Sequence, residues 1–341
     1  MASSPQATEA LKLVSNLQAR FICGLKNVAN RRGAPASFTK TDWLRNDGRH
    51  GGGNRFTAAA GSIFNRASVN VSQIYYDDEP EKKLGSATSI STIIHPLNPH
   101  APSVHMHISW TELKNGNGYW RIMGDLNPSI AHPQFKVAFQ DAMQKAAPDQ
   151  YKEATAQGDR YFFIPALNRH RGIAHFYLES YSSEDRAADK NLAQTFGESV
   201  IDTYVGILNQ ALADYPEIDL RDTQAQLAYH TIYFFQVLTL DRGTTSGLLV
   251  HDQNDLGIMA SLPAMVDRGL FKSWQSKVVS PQDQLVEKLS DALPAATPSP
   301  VTEKVKSLLA STVRAHYRLH PEAIELQSQG FKLPPTVNNH S

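Results

Sequence analysis

The sequence predicts an α+β protein, and three observations lead to this fold class. Strand-like segments joined by short turns follow one another between residues 62 and 128, helical spacing of apolar residues occurs before, within and after this run, and no internal repeat interrupts the pattern. Strands that follow one another through short turns pair antiparallel. We therefore expect an antiparallel sheet with helices packed around it.

The composition limits the class of protein. The chain has 341 residues, and its 33 basic and 33 acidic residues balance, which argues against the basic face of a general nucleic-acid binder. Cys23 is the only cysteine, so intramolecular disulfides, thiolate zinc sites and cysteine-held iron–sulfur clusters are excluded. No apolar run reaches the roughly 20 residues of a membrane helix. We expect no membrane span and a cytoplasmic location, with an organellar transit peptide as the alternative because the opening segment is poor in acid.

The first half of the chain begins with a predicted amphipathic helix. Apolar residues recur at helical spacing over residues 7–30, and Gly33 follows as a stop signal. We interpret the glycine run Gly51 to Gly53 as a loop, either a plain turn or one that closes over a ligand, and no Walker lysine follows it to favour nucleotide binding. One or two strands are predicted over residues 62–75, and further strands over 91–94, 104–110 and 118–128.

The second half mixes predicted helices and strands. Helical spacing predicts helices over residues 133–147, 189–214, 282–293 and 302–319, and a polar loop followed by a strand is predicted between 160 and 179. A run rich in β-branched and aromatic residues, 230–240, is predicted to be the longest strand, and 257–262 a further strand. We divide the chain into an N-terminal helix (1–40), a main domain (41–290) and a proline-rich linker with a C-terminal helix (291–341).

Four histidines within 13 residues form the first candidate site, and they are His95, His100, His105 and His107. Because side chains alternate along a strand, His105, His107 and Ser109 are expected on one face of the strand 104–110. Imidazoles gathered in this way bind metals, transfer protons, contact substrates or simply make structural hydrogen bonds. The spacing alone leaves these alternatives open, although no carboxylate lies beside the cluster in sequence to favour a metal.

Asp241 and Arg242 form the second candidate site, at the end of the predicted strand 230–240 and just before a glycine turn. An aspartate there can accept N–H groups, and an arginine can bind a carboxylate through paired hydrogen bonds. The alternative is a salt bridge that only fixes the turn. No nucleophile elbow, P-loop, zinc-protease helix or dinucleotide fingerprint is present in its proper context.

Several segments together resemble the oxygen-dependent coproporphyrinogen III oxidases. They are Asn98 to Pro102 with Val104 to Met106, Asp125 to Pro128, Arg160 to Phe163 with Arg171 to Ile173, Asp241 to Thr244, Ile258 to Pro263, and the glycine run with Ser68 to Ser72. The resemblance implies a homodimer on a large, flat antiparallel sheet flanked by helices on both faces. It also implies oxidative decarboxylation of coproporphyrinogen III to protoporphyrinogen IX in haem biosynthesis, with dioxygen as co-substrate, no organic cofactor and an unsettled metal requirement.

The same resemblance implies roles for individual residues. His105 matches a proton-transfer histidine and Asp241 an aspartate that faces pyrrole N–H groups, so these two are the predicted catalytic residues. The predicted substrate-binding residues are Ser91, His95, His107 and Arg242. No metal ligand is assigned.

The chain departs from the family pattern at several site positions. Ser109 stands where most members have an arginine, His107 where they have an asparagine, and Asp252 to Asn254 where they have a glycine-glycine-arginine turn. Gln140 and Ala166 replace two histidines of bacterial members, and Arg121 to Met123 replaces a glycine triplet. Because lost arginines weaken the binding of carboxylates, the alternatives are a divergent paralogue acting on another tetrapyrrole and a non-catalytic tetrapyrrole-binding protein.

Overall fold

The structure, a computed structural model, describes residues 2–58, 60–61 and 63–332 and is built on one seven-stranded antiparallel sheet. The strands of this sheet, in spatial order, are β1 (Thr39–Leu44), β2 (Gly51–Ala58), β3 (Phe64–Tyr75), β4 (Leu84–Pro96), β5 (Ser103–Leu113), β6 (Gly118–Asn127) and β9 (Ala174–Tyr181). Two-residue strands form two further pairs, β7 (Phe163–Ile164) with β8 (Arg169–His170) and β10 (Met265–Val266) with β11 (Ser299–Pro300). The predicted α+β class and antiparallel sheet are confirmed.

Helices surround this sheet. Those described are α1 (Pro5–Arg31), α2 (Pro133–Ala146), α3 (Tyr151–Phe162), α4 (Arg186–Asp214), α5 (Leu220–Thr239), α6 (Arg242–Val250), α7 (Asp255–Ile258), α8 (Arg268–Ser273), α9 (Gln282–Ala292) and α10 (Glu303–Leu319). None of the helices in the described ranges combines the length and the apolar composition that a membrane-spanning helix needs. The helices predicted near α1, α2, α4, α9 and α10 are confirmed to within a few residues at each end.

One face of the sheet packs against α1 and α4. Along β5 the residues Met106 and Ile108 point to this face and are completely buried, as is Val69 of β3. They meet Leu17 and Phe21 of α1 in a single core cluster. Burying one large apolar side chain contributes about 1.5–3 kcal/mol, so the alternation predicted for β5 fixes which face of the strand turns to the core.

The opposite face of the sheet is polar and only partly covered. Helix α5 and the helices that follow it form a second apolar core, which Ile93 of β4 joins from the sheet. Beyond this contact the helices leave an open cavity above β3, β4, β5 and β6. The fold therefore places a polar sheet surface at the floor of a cavity and helical segments in its walls.

The predicted strand 230–240 is wrong, because these residues lie in helix α5. Asp219 and Asp222 form a capping box that starts the helix, which is buried on nearly every side from Tyr229 to Thr239. A helix that is buried all round shows a continuous apolar run without the 3.6-residue period, and such a run cannot be distinguished from a buried strand by periodicity. The predicted strand 257–262 is also wrong, since these residues form the end of α7 and a 3₁₀ turn, Met259–Ser261.

The glycine run was predicted to be a loop, but Gly51 to Gly53 begin strand β2. A Cβ added at Gly52 would lie 2.2 Å from the Trp43 carbonyl oxygen, and one added at Gly53 would lie 2.2 Å from the Val71 carbonyl oxygen. Glycine is therefore required by the close approach of the strands on either side. Helix α3 was not predicted, and the segment 160–179 contains its last turn before the strand.

The proposed domain boundaries stay predictions. Residue 62, where a predicted strand begins, and residues 1 and 333–341 of the predicted terminal segments lie outside the described residues.

Candidate active site

The cavity over the polar face of the sheet has a volume of about 280 Å³. Its floor carries small polar side chains, and its walls carry aromatic rings from α3, α5 and β9. The polar and charged side chains that line it include Ser91, His105, His107, Arg121, Arg171 and Asp241. Polar groups converging inside a largely preformed concavity are typical of small-molecule sites.

The alternation predicted for β5 is confirmed, because His105, His107 and Ser109 all line the cavity. His107 lies directly opposite Ser91 of β4 in the strand register. The His107 Nε2 atom is 3.1 Å from the Ser109 hydroxyl. Ser91 and His107, two of the predicted substrate-binding residues, therefore stand side by side on the cavity floor.

His105 is held by a buried carboxylate. It lies opposite Asp125 of β6 in register, and its Nδ1 is 2.7 Å from Asp125 Oδ1. The other Asp125 oxygen accepts hydrogen bonds from Arg171 and from Asn127, each at 2.6 Å. Because Nδ1 donates to the carboxylate, the imidazole is fixed in one orientation, and its Nε2 is the nitrogen left for a molecule in the cavity.

Asp125 keeps its charge despite being completely buried. Burial alone would raise its pKa, but Arg171 and His105 outweigh that effect and lower the pKa well below its usual range. Burial likewise would lower the pKa of Arg171, and Asp125 raises it instead. Arg171 also lies over the Phe162 ring, 4.4 Å from the ring centroid. His105, Asp125 and Arg171 thus form a fixed charged network beneath the cavity.

A second network lies around Arg121. Its guanidinium donates to both oxygens of the buried Glu179, at 2.5 and 3.0 Å, and the Tyr177 hydroxyl donates to the same carboxylate. Burial would lower the pKa of Arg121, but Glu179 raises it, so the charge persists. Since each of the two arginines among the described lining residues pairs with a buried carboxylate, neither adds a full positive charge to the cavity.

Asp241 lines the cavity as the N-cap of helix α6, and not at a strand end as predicted. Its Oδ2 accepts from the Thr244 amide and hydroxyl, each at 2.8 Å, and its Oδ1 accepts from the Tyr161 hydroxyl at 2.6 Å. Burial and the Asp241 charge raise the pKa of Tyr161, which therefore stays a donor. A fixed carboxylate in the wall can accept N–H groups from a ligand.

Two of the predicted substrate-binding residues do not line the cavity. His95 is completely buried, with Nδ1 2.8 Å from the Ser103 hydroxyl and Nε2 3.1 Å from the Ser261 carbonyl oxygen. Arg242 points away from the cavity, and its Nε donates to the Ser328 carbonyl oxygen at 3.2 Å. Both side chains support the cavity walls, so their assignment as direct substrate contacts stays a prediction without geometric support.

Sequence reasoning missed the aromatic part of the site. Tyr161, Tyr177 and Tyr233 reach the cavity from α3, β9 and α5, elements far apart in the chain. Asp125 and Arg171 lie in segments that carry the family resemblance. The sequence assigns no role to Asp125, and it offers Arg171 only as one of three arginines, with Arg121 and Arg169, that could replace lost carboxylate contacts. An acidic residue directly opposite His105 could have been found by pairing the two strands around the turn 114–117.

Among the described residues, one group of three side chains of the types that ligate metals lies close together, and it lies outside the cavity. It consists of His50, Asp78 and Glu79, whose ligand atoms lie within 4.8 Å of one another. The His50 Nε2 atom is 3.1 Å from Asp78 and 2.9 Å from Glu79, so it can donate to both carboxylates. Hydrogen bonding alone accounts for this group.

Comparison with known proteins places the chain beside one family. A family model described as Coproporphyrinogen III oxidase matches residues 9–293. The chain is 28% identical over 253 residues to the mitochondrial oxygen-dependent coproporphyrinogen-III oxidase of Mus musculus, and the match covers 67% of this chain and 56% of that protein. The chain thus spans about half the length of this mouse relative.

Bacterial relatives are matched over more of their length. Identity is 27% over 254 residues to the oxygen-dependent coproporphyrinogen-III oxidase of Rickettsia akari, covering 68% of this chain and 85% of the relative. It is 26% over 293 residues to the enzyme of the same name from Prochlorococcus marinus (strain AS9601), covering 74% and 82%.

Proposed function

The chain belongs to the coproporphyrinogen III oxidase family, and on this premise we propose that it converts two propionates of coproporphyrinogen III to vinyl groups, giving protoporphyrinogen IX, with dioxygen as electron acceptor. The observation that carries the proposal is the network of His105, Asp125 and Arg171 on the cavity floor. It supplies one oriented imidazole at a site able to receive a flat ligand.

The chemistry needs proton transfer and charge stabilisation. For each propionate, the bond to the carboxylate carbon breaks, carbon dioxide leaves, and the carbon next to the pyrrole loses a proton while two electrons pass to dioxygen. Two propionates release four electrons, which reduce one dioxygen to two waters or two dioxygens to two hydrogen peroxides, with protons from solvent. A positioned imidazole can accept the proton from carbon.

We assign this proton transfer to His105 Nε2. Its Nδ1 is hydrogen-bonded to the Asp125 carboxylate. A carboxylate in that position stabilises the imidazolium that forms when Nε2 accepts a proton. Asp241 in the opposite wall accepts pyrrole N–H groups and stabilises positive charge on the macrocycle. The rings of Tyr161, Tyr177 and Tyr233 line the same cavity and supply faces on which a flat macrocycle packs.

A second candidate function is supported by the charge of the cavity. Arg121 and Arg171 are each neutralised by a buried carboxylate, whereas coproporphyrinogen III carries four carboxylates. This balance favours a divergent paralogue that acts on a tetrapyrrole with fewer carboxylates, or a tetrapyrrole-binding protein without activity.

Further properties stay predictions of the sequence. They are a homodimer, a cytoplasmic location, the lack of an organic cofactor, and dioxygen as the co-substrate. The sequence makes no prediction about a metal requirement. Light scattering on the purified protein measures the dimer directly, and a monomer at micromolar concentration would contradict that prediction.

The test is an assay of the purified protein with coproporphyrinogen III, in air and under argon, with the product identified after oxidation to the porphyrin. The proposal predicts protoporphyrin in air and none under argon. Bound but unconverted coproporphyrinogen III in air would favour the second candidate function.

A further inference from the structure

Three cationic side chains meet at the end of the cavity that α7 and α10 cover. Arg55 of β2 and Arg66 of β3 point to the cavity face of the sheet, because Arg55 lies opposite the cavity-lining Asn70, and Arg66 is two residues before the cavity-lining Ser68. Lys306 of α10 adds a third cation. The charges of Arg66, Glu303 and Arg55 all act on it.

Arg55 and Lys306 are buried and Arg66 is half-buried, and the exposed carboxylate of Glu303 acts on all three from beyond ion-pair distance. Arg55 is 9% exposed and Lys306 5% exposed. The Nε and Nη1 atoms of Arg55 and the Nε atom of Arg66 are buried without a hydrogen-bond partner. Within the described part of the chain, no carboxylate comes within 4.0 Å of the charged atoms of these three side chains to form an ion pair.

Buried cations without an ion-pair partner indicate a binding site for an anion. Buried charges in proteins are paired, because removing a charge from water is costly unless a counter-charge and hydrogen bonds replace the water. Burial lowers the pKa of Lys306 to about 7, so this group can lose its proton, but a guanidinium cannot. Arg55 therefore keeps its charge and three unused donor directions, which suit a carboxylate or another oxyanion.

The cluster adjoins the cavity through Gly257. A Cβ added at this glycine would lie 2.4 Å from Arg55 Nη1 and 2.1 Å from Asn254 Oδ1. Both Gly257 and Asn254 line the cavity. The absence of a side chain at residue 257 thus lets the guanidinium approach the cavity wall.

The strand register aligns Arg55 with the predicted substrate-binding residues. Arg55 lies opposite Asn70, Asn70 opposite Ser91, and Ser91 opposite His107. Three strand spacings separate Arg55 from His107, which amounts to about 14 Å. A tetrapyrrole with carboxylate-bearing arms spans a distance of this order, so a ligand above Ser91 and His107 can place one arm beside Arg55.

We propose that Arg55, supported by Arg66 and Lys306, binds a carboxylate of the cavity ligand at the α7 end of the cavity. This inference rests on the proposed function, which supplies a ligand with four carboxylates. It also explains how the cavity can bind an anionic ligand, although buried carboxylates already neutralise its two lining arginines. The same donors would accept a free inorganic oxyanion, and the experiment separates the two sources.

The experiment compares affinities for coproporphyrin III, the stable oxidised form of the substrate, by fluorescence titration of the full chain. Arg55→Met removes the charge and keeps the length of the side chain. Arg20→Met is the matched control, since Arg20 lies on α1 across the sheet in an exposed pair with Asp202. We expect Arg55→Met to bind coproporphyrin III at least tenfold more weakly, with the control within twofold of the wild type. Mesoporphyrin IX, which has two carboxylates, should show a smaller difference.

Thermal unfolding provides the second measurement. Without ligand, Arg55→Met should unfold at the wild-type temperature or above it, because a buried charge without an ion-pair partner has been removed. One result would assign the site to free anions. In that case inorganic phosphate raises the unfolding temperature of the wild type but not of Arg55→Met, and both proteins bind coproporphyrin III equally well. The carboxylate assignment would then be overturned. If wild type and Arg55→Met bind coproporphyrin III with equal affinity, and phosphate does not change the unfolding temperature of the wild type, the proposed anion site is overturned altogether.

These results are independent of turnover. Arg55-dependent binding in a protein that does not convert coproporphyrinogen III would retain the subsite and reject the proposed function. Turnover with the same KM in Arg55→Met and wild type would retain the function and reject the subsite.

Discussion

Asp125 is the residue on which the geometry of the site depends. It is completely buried and joins His105 to Arg171, so a change there acts both on the His105 imidazole and on a buried cation. Asp125→Asn leaves the Arg171 charge uncompensated. We expect the free energy of unfolding to fall by about 3–5 kcal/mol, measured by urea denaturation at pH 7.

The matched control for this prediction is Asp202→Asn. Asp202 pairs with Arg20 on the surface, and an exposed pair contributes only about 0–1 kcal/mol. Equal losses in the two variants would contradict the role of Asp125 as a buried counter-charge.

Asp241 caps a helix and has a proposed role in turnover, and comparison with a second capping residue separates the two. Asp241 caps α6 beside the cavity, and Asp267 caps α8 outside it, through a 2.9 Å hydrogen bond from the Leu270 amide. Alanine at either position should lower stability by about 1 kcal/mol through loss of the cap. Only Asp241→Ala should also reduce turnover, and full turnover in this variant would remove the catalytic assignment.

At the scale of elements, helix α5 makes the protein sensitive to acid. His230 lies in this helix, is almost completely buried, and burial lowers its pKa to about 3. The unfolded chain, with an ordinary histidine pKa near 6.5, binds more protons than the folded protein between these values. Stability therefore falls as the pH drops below about 6.5, by up to about 1.4 kcal/mol per pH unit for this one group.

Urea denaturation at pH 7.5 and 5.5 measures this effect. We expect a lower free energy of unfolding at pH 5.5, and a smaller difference between the two pH values in His230→Gln. An unchanged difference in the variant would show that other groups cause the acid sensitivity. His95 adds to the wild-type effect, because burial and the nearby His230 lower its pKa as well.

Strand β2 provides a second prediction at this scale. Gly53→Ala would force a Cβ to within 2.2 Å of the Val71 carbonyl oxygen, so β2 and β3 must separate and the thermal unfolding temperature should fall. Gly206→Ala is the matched control. Gly206 is exposed within α4 with no atom near its added Cβ, and alanine there should stabilise by about 0.5–1 kcal/mol. A higher unfolding temperature in Gly53→Ala would contradict the strand assignment.

The elements also show what local sequence could predict. The period of β5 placed His105 and His107 on the cavity face correctly, because alternation is a property of the strand itself. The buried helix α5 was mistaken for a strand, because burial on all sides removes the polar face that marks a helix. The glycines of β2 were mistaken for a loop, because the need for them arises from neighbouring strands that are distant in sequence.

At the scale of the whole molecule, the site is assembled from segments that only the tertiary structure brings together. Tyr161 meets Asp241 across 80 residues of chain, and Arg171 meets Asp125 across 46. Of the residues to which the family resemblance assigns roles, His105 and Asp241 line the cavity, whereas the buried Arg242 side chain does not and donates to the Ser328 carbonyl oxygen. Arg55 has no signal in the sequence, since its burial depends on how α7 and α10 cover the sheet.

We expect coproporphyrinogen III to be decarboxylated in the cavity over the sheet, with His105 as the proton acceptor. The most direct measurement is the aerobic rate of protoporphyrinogen formation by the wild type, His105→Ala and His100→Ala. His100 belongs to the same histidine-rich stretch but stacks on Tyr215 and does not line the cavity. We predict conversion by the wild type, a rate about 10²–10⁴-fold lower in His105→Ala, and a rate within a few-fold of wild type in His100→Ala. Equal rates in the wild type and a folded His105→Ala variant would contradict the claim.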